Sequence, residues 1–161
     1  MTARKRITTP DGTVAELIET VPAQAPARGS ARHKARKRAL DILFEADLRG
    51  SDAREALTLH TAEADPPVRP LTADLVLGVV ARQPEIDALI AEALATGWTL
   101  ERMPRIDRCV TRIAIWEMVS GSTSAEVAVQ QAVQLAQELS TDDSAAFVNG
   151  VLARVSERLR A

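Results

Sequence analysis

Ala31-Arg32-His33-Lys34-Ala35-Arg36-Lys37-Arg38-Ala39-Leu40-Asp41-Ile42-Leu43-Phe44-Glu45-Ala46-Asp47-Leu48 changes character halfway along. In its second half Leu40, Leu43, Phe44 and Leu48 recur at helical spacing, and Gly50 supplies a stop, so a helix is predicted over 31–49. In its first half Arg32, Lys34, Arg36, Lys37 and Arg38 wrap most of the way around the opening turns. Cations at a helix N-terminus oppose the helix dipole, by about 0.3–1 kcal/mol each, unless an anion lies nearby. Phosphate oxygens are the natural partner of such a cluster, and a solubilising or targeting tail is the plainer alternative.

Helical periodicity continues from that segment to the end of the chain, with no convincing alternation of strand type. A short second helix is expected over 52–60, and Asp65-Pro66-Pro67 with Pro70 marks the break after it. A third is expected over 72–83, with Leu75, Val76, Val79 and Val80 inward. A fourth opens at Pro84, carries Ile86, Leu89, Ile90, Ala93 and Leu94, and is ended by Gly97. Pro104 opens a fifth, closed by Gly121, whose stripe Ile106, Val110, Ile113 faces away from Ile115, Met118 and Val119. A helix apolar on both sides is central in a bundle or presents one side to a partner. Ser124 caps a sixth, and Asp142 or Asp143 begins a seventh with Val148, Val151, Leu152, Val155 and Leu159. The expectation is an all-α fold of about seven helices over 31–161. Residues 1–30, with Pro10, Gly12, Pro22, Pro26 and Gly29, read as a flexible basic tail with a short helix around 14–20.

The chain of 161 residues fits one domain plus a tail, and its aromatic fraction of 2% leaves the core to Leu, Val, Ile and Ala. The net charge of −2 hides a division. Residues 1–38 hold nine Lys/Arg against three acids, while the remainder holds eleven Arg against nineteen acids. Total charge therefore conceals a basic N-terminal face. A single cysteine, Cys109, excludes an intrachain disulfide, and with only His33 and His60 beside it no metal or other cofactor is expected. No apolar run reaches the roughly 18 residues of a membrane span, and two acids interrupt any signal core near the N-terminus, so a cytoplasmic protein is expected.

No constellation for catalysis is visible. His33 lies in the basic cluster, His60 at a helix end, and the seven glycines are scattered rather than gathered in a phosphate loop. Cys109 sits by an apolar stripe and reads as a buried, inert thiol. Asp47 lies on an apolar face, where a carboxylate needs a partner, most simply an internal Arg. Arg102, Arg105, Arg108 and Arg112 look like a second basic patch, with a solvated face as the default. Phe147 falls at the edge of its helix's stripe, so it is either core rim or a ring on which a splayed base can stack. Asn149 points further outward with a donor and an acceptor for a base edge. Gly150 in mid-helix suggests a close helix approach, because glycine there costs about 1 kcal/mol against alanine.

These residues form a pattern. Ala39-Leu40, Leu43-Phe44 and Asp47-Leu48, then Arg112-Ile113-Ala114-Ile115-Trp116-Glu117, then Val127-Ala128-Val129 with Ala132-Val133-Gln134-Leu135-Ala136, then Ser144 with Phe147-Val148-Asn149-Gly150-Val151-Leu152 follow in order. Over 32–158 the chain resembles the bacterial NusB family of transcription antitermination factors. The resemblance implies two small helical bundles packed together and no enzymatic activity. It also implies binding to boxA RNA of ribosomal operons jointly with the ribosomal protein NusE, so that the transcription elongation complex reads through terminators. By position it places RNA contacts on Arg32, Lys34, Arg36, Lys37, Arg38, Asp143 and Phe147, with Asn149 added from its own chemistry. It places a partner-facing carboxylate on Asp107, and the outward side of the fifth helix, near Asp107, Ile115 and Met118, is the expected partner surface. The chain departs from the family at Gln130-Gln131, where an Asn-Glu pair is usual, and at Phe44, often Tyr. Two alternatives stand beside this reading. One is the RNA-binding module of an rRNA cytosine methyltransferase, which requires a Rossmann-like domain beyond Ala161. The other is a structural helical adaptor. Monomer and homodimer are both open.

Overall fold

The structure, a computed structural model, describes residues 2–8, 14–20, 30–64 and 67–161. Six α-helices form the body: α1 (Ala31–Arg49), α2 (Ala53–Glu63), α3 (Pro70–Ala93), α4 (Arg105–Ser120), α5 (Ala125–Leu139) and α6 (Ser144–Arg160), with a 3-10 turn at Leu100–Arg102. The fold is all-α in this body, as expected. Ahead of it, β1 (Thr2–Thr8) and β2 (Val14–Thr20) pair antiparallel, Thr2 opposite Thr20 and Thr8 opposite Val14. A strand therefore replaces the short helix expected around 14–20. Thr2, Ile7 and Thr8 in one segment and Val14, Ile18 and Thr20 in the other are β-branched, which favours extended pairing. The rest of 1–30, and Asp65 and Pro66 in the break after α2, lie outside the described residues.

Local chemistry explains most of the boundaries. Ser30 caps α1 by accepting from the His33 N–H at 3.1 Å, and Gly50 closes it in the left-handed region at φ 64°. Asp52 caps α2 by accepting from the Arg54 N–H. Ser124 caps α5 through the Val127 N–H, and Gly121 ends α4 at φ 72°. The expected third and fourth helices are two helical segments that run end to end as α3, meeting at a kink where Arg82 leaves helical geometry (φ −118°, ψ 16°). Pro84 lacks an N–H and its ring crowds the preceding turn, so the hydrogen-bond ladder breaks just ahead of it and the second segment begins there.

Two groups, α1–α2–α3 and α4–α5–α6, share one core, and α4 packs against α1, α3, α5 and α6. That central position accounts for its two apolar sides: Val110, Ile113, Ala114 and Ile115 are all at most 2% exposed. Leu75, Val76, Val79, Ile86 and Ile90 of α3 and Val148, Val151, Leu152 and Val155 of α6 complete the interior. Leu48, assigned to the inward face of α1, is instead 57% exposed on its last turn.

The close helix approach expected at Gly150 occurs at Gly78. A Cβ on Gly78 would fall inside the Trp116 indole of α4, whereas one on Gly150 would meet nothing within 4 Å. The two glycines should therefore respond oppositely to alanine. Gly150→Ala is expected to stabilise by about 0.5–1 kcal/mol from helix propensity alone. Gly78→Ala gains the same propensity but must displace an indole, and overpacking of about 1–3 kcal/mol makes it a net loss. Urea unfolding of both variants checks the opposite signs.

Candidate nucleic-acid interface

The basic face is built at the start of α1. Arg32, Lys34 and Lys37 are exposed and Arg38 is half-buried, and the first turn contains no acid. None of the four has an ion pair within 4 Å among the described residues. Thr72 at the start of α3 donates to the Ala35 carbonyl at 2.9 Å, holding the two helices together beside this face. Between them lies a cavity of about 210 Å³ lined by Lys34, Lys37, Arg38, Asp41, Pro67, Val68, Arg69 and Thr72. Burial pushes the Asp41 carboxyl above its usual range, against the pull of Lys37, Arg38 and His60.

Arg36 does not belong to this face, contrary to expectation. It is 1% exposed, and its Nε and Nη2 donate to Glu117 of α4 at 3.1 and 2.9 Å. The helical period puts position 36 in phase with Leu40 and Leu43, so the guanidinium enters the core and requires a buried carboxylate. His33 is buried too. Its Nδ1 lies 3.3 Å from Gln131 Oε1 and its Nε2 lies 3.5 Å from Glu138 of α5. The Gln131 of the departing pair thus sits inside, 1% exposed, while Gln130 faces solvent.

The residues assigned to a partner surface fare differently. Asp107 is 1% exposed and accepts from the Ser140 and Ser144 hydroxyls at 2.5 and 2.9 Å. It is an internal staple fastening the α5–α6 turn to α4, and a partner cannot reach it. Ile115 is fully buried, because α4 is covered on both sides. Only Met118 of the three is partly accessible.

The arginines of the second basic patch are tied to neighbouring groups, although Arg102 and Arg105 stay exposed. Arg105 and Arg108 donate to Asp47 Oδ2 at 2.7 and 2.6 Å, and Arg112 is bidentate to Asp87 at 2.8 and 3.0 Å. Burial pushes Asp47 up, but the hydrogen bonds from Arg108 and Arg105 outweigh it and hold its carboxyl below the usual range. Cys109 beside them is 1% exposed, and burial raises its thiol to about 11, consistent with an inert group.

At the start of α6, Asp143 and Asn149 are exposed and Phe147 is half-buried. Asp143 makes no side-chain capping bond, so its carboxylate is available to donors such as base amino groups. Phe147 is not a lone ring. Trp98 lies against it with centroids 5.4 Å apart at 44°. Arg102 stands 5.3 Å from the Trp98 ring centroid, held by its bond to the Gly97 carbonyl at 2.6 Å. Trp98 is 43% exposed and is the residue that sequence reasoning passed over. The signal was there, in a tryptophan outside every apolar stripe of a chain with only four aromatic residues. The α1 cations and the α6 cluster are placed relative to each other by α4, against which both helices pack.

The NusB family's sequence profile matches residues 33–157. A transcription antitermination protein NusB of Acidothermus cellulolyticus is 56% identical over 126 residues, covering 78% of this chain and 86% of its own. The protein of that name from Cutibacterium acnes is 48% identical over 78% of this chain, which spans only 48% of that relative's length. Among solved structures, T. maritima NusB superposes with a TM-score of 0.70 at 26% identity, covering 80% of this chain and 92% of that one. A crystal structure of antitermination factors NusB and NusE in complex with double-stranded RNA shares the fold, with a TM-score of 0.69 at 24% identity over 79% of this chain and 96% of that one. The chain belongs to the NusB family.

Proposed function

We propose that this protein is a non-enzymatic transcription antitermination factor that binds boxA RNA of ribosomal operons together with the ribosomal protein NusE. In this reading it acts in the cytoplasm on the transcription elongation complex, promoting read-through by RNA polymerase. Residues 31–161 form the RNA-binding domain, to which 1–30 are appended. The observation that carries the proposal is the cationic face on α1, Arg32, Lys34, Lys37 and Arg38, which has no ion pair within 4 Å among the described residues, while the other described arginines are largely tied to acids or carbonyls. Cations left free at a helix start, against the dipole, suit an anionic polymer.

Phosphate contacts position an RNA and read no sequence, so selectivity has to come from bases. Trp98 and Phe147 supply two adjoining rings, and Asp143 and Asn149 add an exposed carboxylate and amide at the start of α6. A base stacked on an aromatic contributes about 1–3 kcal/mol, too little for one site to specify a long element alone. Modest affinity for RNA alone and a clear gain with NusE are therefore expected. With Asp107 and Ile115 inside the core, the partner surface falls on other residues, Met118 being the one assigned position still accessible.

The test is a titration of boxA and scrambled RNA with the full chain, with and without NusE. Binding that favours boxA and tightens with NusE supports the reading. Absence of RNA binding under both conditions would leave only a structural adaptor, and an unchanged affinity with NusE would remove shared recognition.

A further inference from the structure

We propose that the cavity between α1 and the start of α3 is a seat for one RNA backbone phosphate, gripped from two elements by Arg38 and Arg69. This rests on the RNA-binding reading above and adds a residue, Arg69, that neither the α1 cluster nor the family pattern points to.

Charge and geometry support it. Among the described residues, four cations, Lys34, Lys37, Arg38 and Arg69, line the cavity against one acid, Asp41. Among the described residues the Nε of Arg38 is buried without a hydrogen-bond partner, although buried donors are nearly always satisfied. Arg69 stands at the N-cap of α3 with no side-chain capping bond, and Pro70 follows it at the first helical position. The positive end of this 24-residue helix and its unpaired first-turn N–H groups add to the cationic side chains. Pro67 and Val68 form an apolar wall, which weakens solvent screening of any ion pair made inside. The volume of about 210 Å³ admits a phosphate group with accompanying water and leaves no room for a stretch of duplex.

The chemistry favours a phosphate over other anions. A planar guanidinium presents paired N–H donors matched to two oxygens of one phosphate, and two such groups from different helices hold it in both position and orientation. Lys34 and Lys37 stand as point charges at the rim. A phosphate fixed this way sets the direction in which the strand leaves α1, a constraint that a purely surface-borne cluster does not impose.

The test uses the full chain and two probes. Labelled boxA RNA and scrambled RNA are titrated into wild type, Arg69→Ala and Arg69→Lys across a range of salt. Arg69→Ala is expected to weaken both RNAs by the same factor, about three- to tenfold, and to flatten the log–log salt slope by about 0.7, the value for one phosphate on a single strand. Arg69→Lys should restore the slope but only part of the affinity, since it keeps the charge and loses the fork. The second probe is inorganic pyrophosphate, followed on the Arg38 Nε–H resonance. A saturable shift in wild type, lost in Arg69→Ala and reversed by RNA, supports the seat. Wild-type RNA binding with an unaltered Arg69→Ala overturns the seat and leaves the RNA reading standing. A pyrophosphate shift that RNA does not compete away shows a site for free phosphate compounds and overturns assignment to the RNA backbone. Absence of wild-type RNA binding overturns both. The Arg69 side chain makes no hydrogen bond among the described residues, so both variants are expected to unfold at the wild-type temperature.

Discussion

Glu117→Ala is expected to destabilise the protein by about 3–5 kcal/mol, the usual cost of stranding one member of a buried ion pair. The side chains of Arg36 and Glu117 are 2% and 1% exposed, with Arg36 Nη2 donating at 2.9 Å. Removing the carboxylate leaves a guanidinium between α1 and α4 with neither water nor counter-charge. For a chain of this size, that loss lowers the melting temperature by roughly 10 °C. Arg36→Met combined with Glu117→Leu should recover most of the stability, because a well-packed apolar pair avoids the desolvation of both charges. Thermal and urea unfolding of the single and double variants check both statements. The double variant also separates the fold from the interface. If Arg36 acts only inside the core, this variant binds RNA as wild type does, and a strong loss of RNA affinity in a folded double variant would return Arg36 to the interface.

The burial of Arg36 was legible in the segment that predicted α1. Positions 36, 40, 43 and 47 follow helical spacing, so the stripe marked by Leu40 and Leu43 runs back through Arg36 and forward to Asp47. The identity of Arg36's partner was not legible, because Glu117 lies 81 positions away and only the packing of α4 on α1 brings it there. Asp107 repeats the lesson, since it shares a phase with Val110 and Ala114. Its real partners, Ser140 and Ser144, depend on how α5 turns into α6.

The partners of Asp47 were legible in the sequence. A carboxylate on an apolar face requires an internal arginine, and Arg105 and Arg108 supply it. Caps were equally readable, because Gly50, Gly121 and Ser124 act through local backbone chemistry. Pro84 was readable in the same way, because a residue without an N–H marks where the two helical segments of α3 meet. Trp98 escaped because periodicity assigns faces only within regular elements, and it sits in the connection between α3 and α4. Its contacts with Phe147 and Arg102 arise from tertiary packing and one local hydrogen bond.

Neutralising the exposed α1 cations should have the opposite signature to the core variant, with a large loss of binding and no loss of stability. Arg32, Lys34 and Lys37 are exposed and have no ion pair within 4 Å among the described residues, so Arg32→Gln, Lys34→Gln and Lys37→Gln together break no such pair and give up only the longer-range attraction of Lys37 for Asp41. They also relieve repulsion with the positive end of α1, worth about 0.3–1 kcal/mol per charge, and the melting temperature should hold or rise slightly. Binding should move the other way. Wild type contacting about four to six phosphates of a single strand has a log–log salt slope of roughly −3 to −4. Loss of three contacts flattens it by about 2 and weakens binding about a hundredfold at 0.1 M salt. Because phosphates carry no sequence information, boxA and scrambled RNA should weaken by the same factor, and their ratio should persist. Persistence of the ratio assigns base reading elsewhere, to the Trp98–Phe147 region. A triple variant that keeps the wild-type slope would show that the free cations of α1 serve something other than RNA. A collapse of the ratio would place sequence reading on α1 itself.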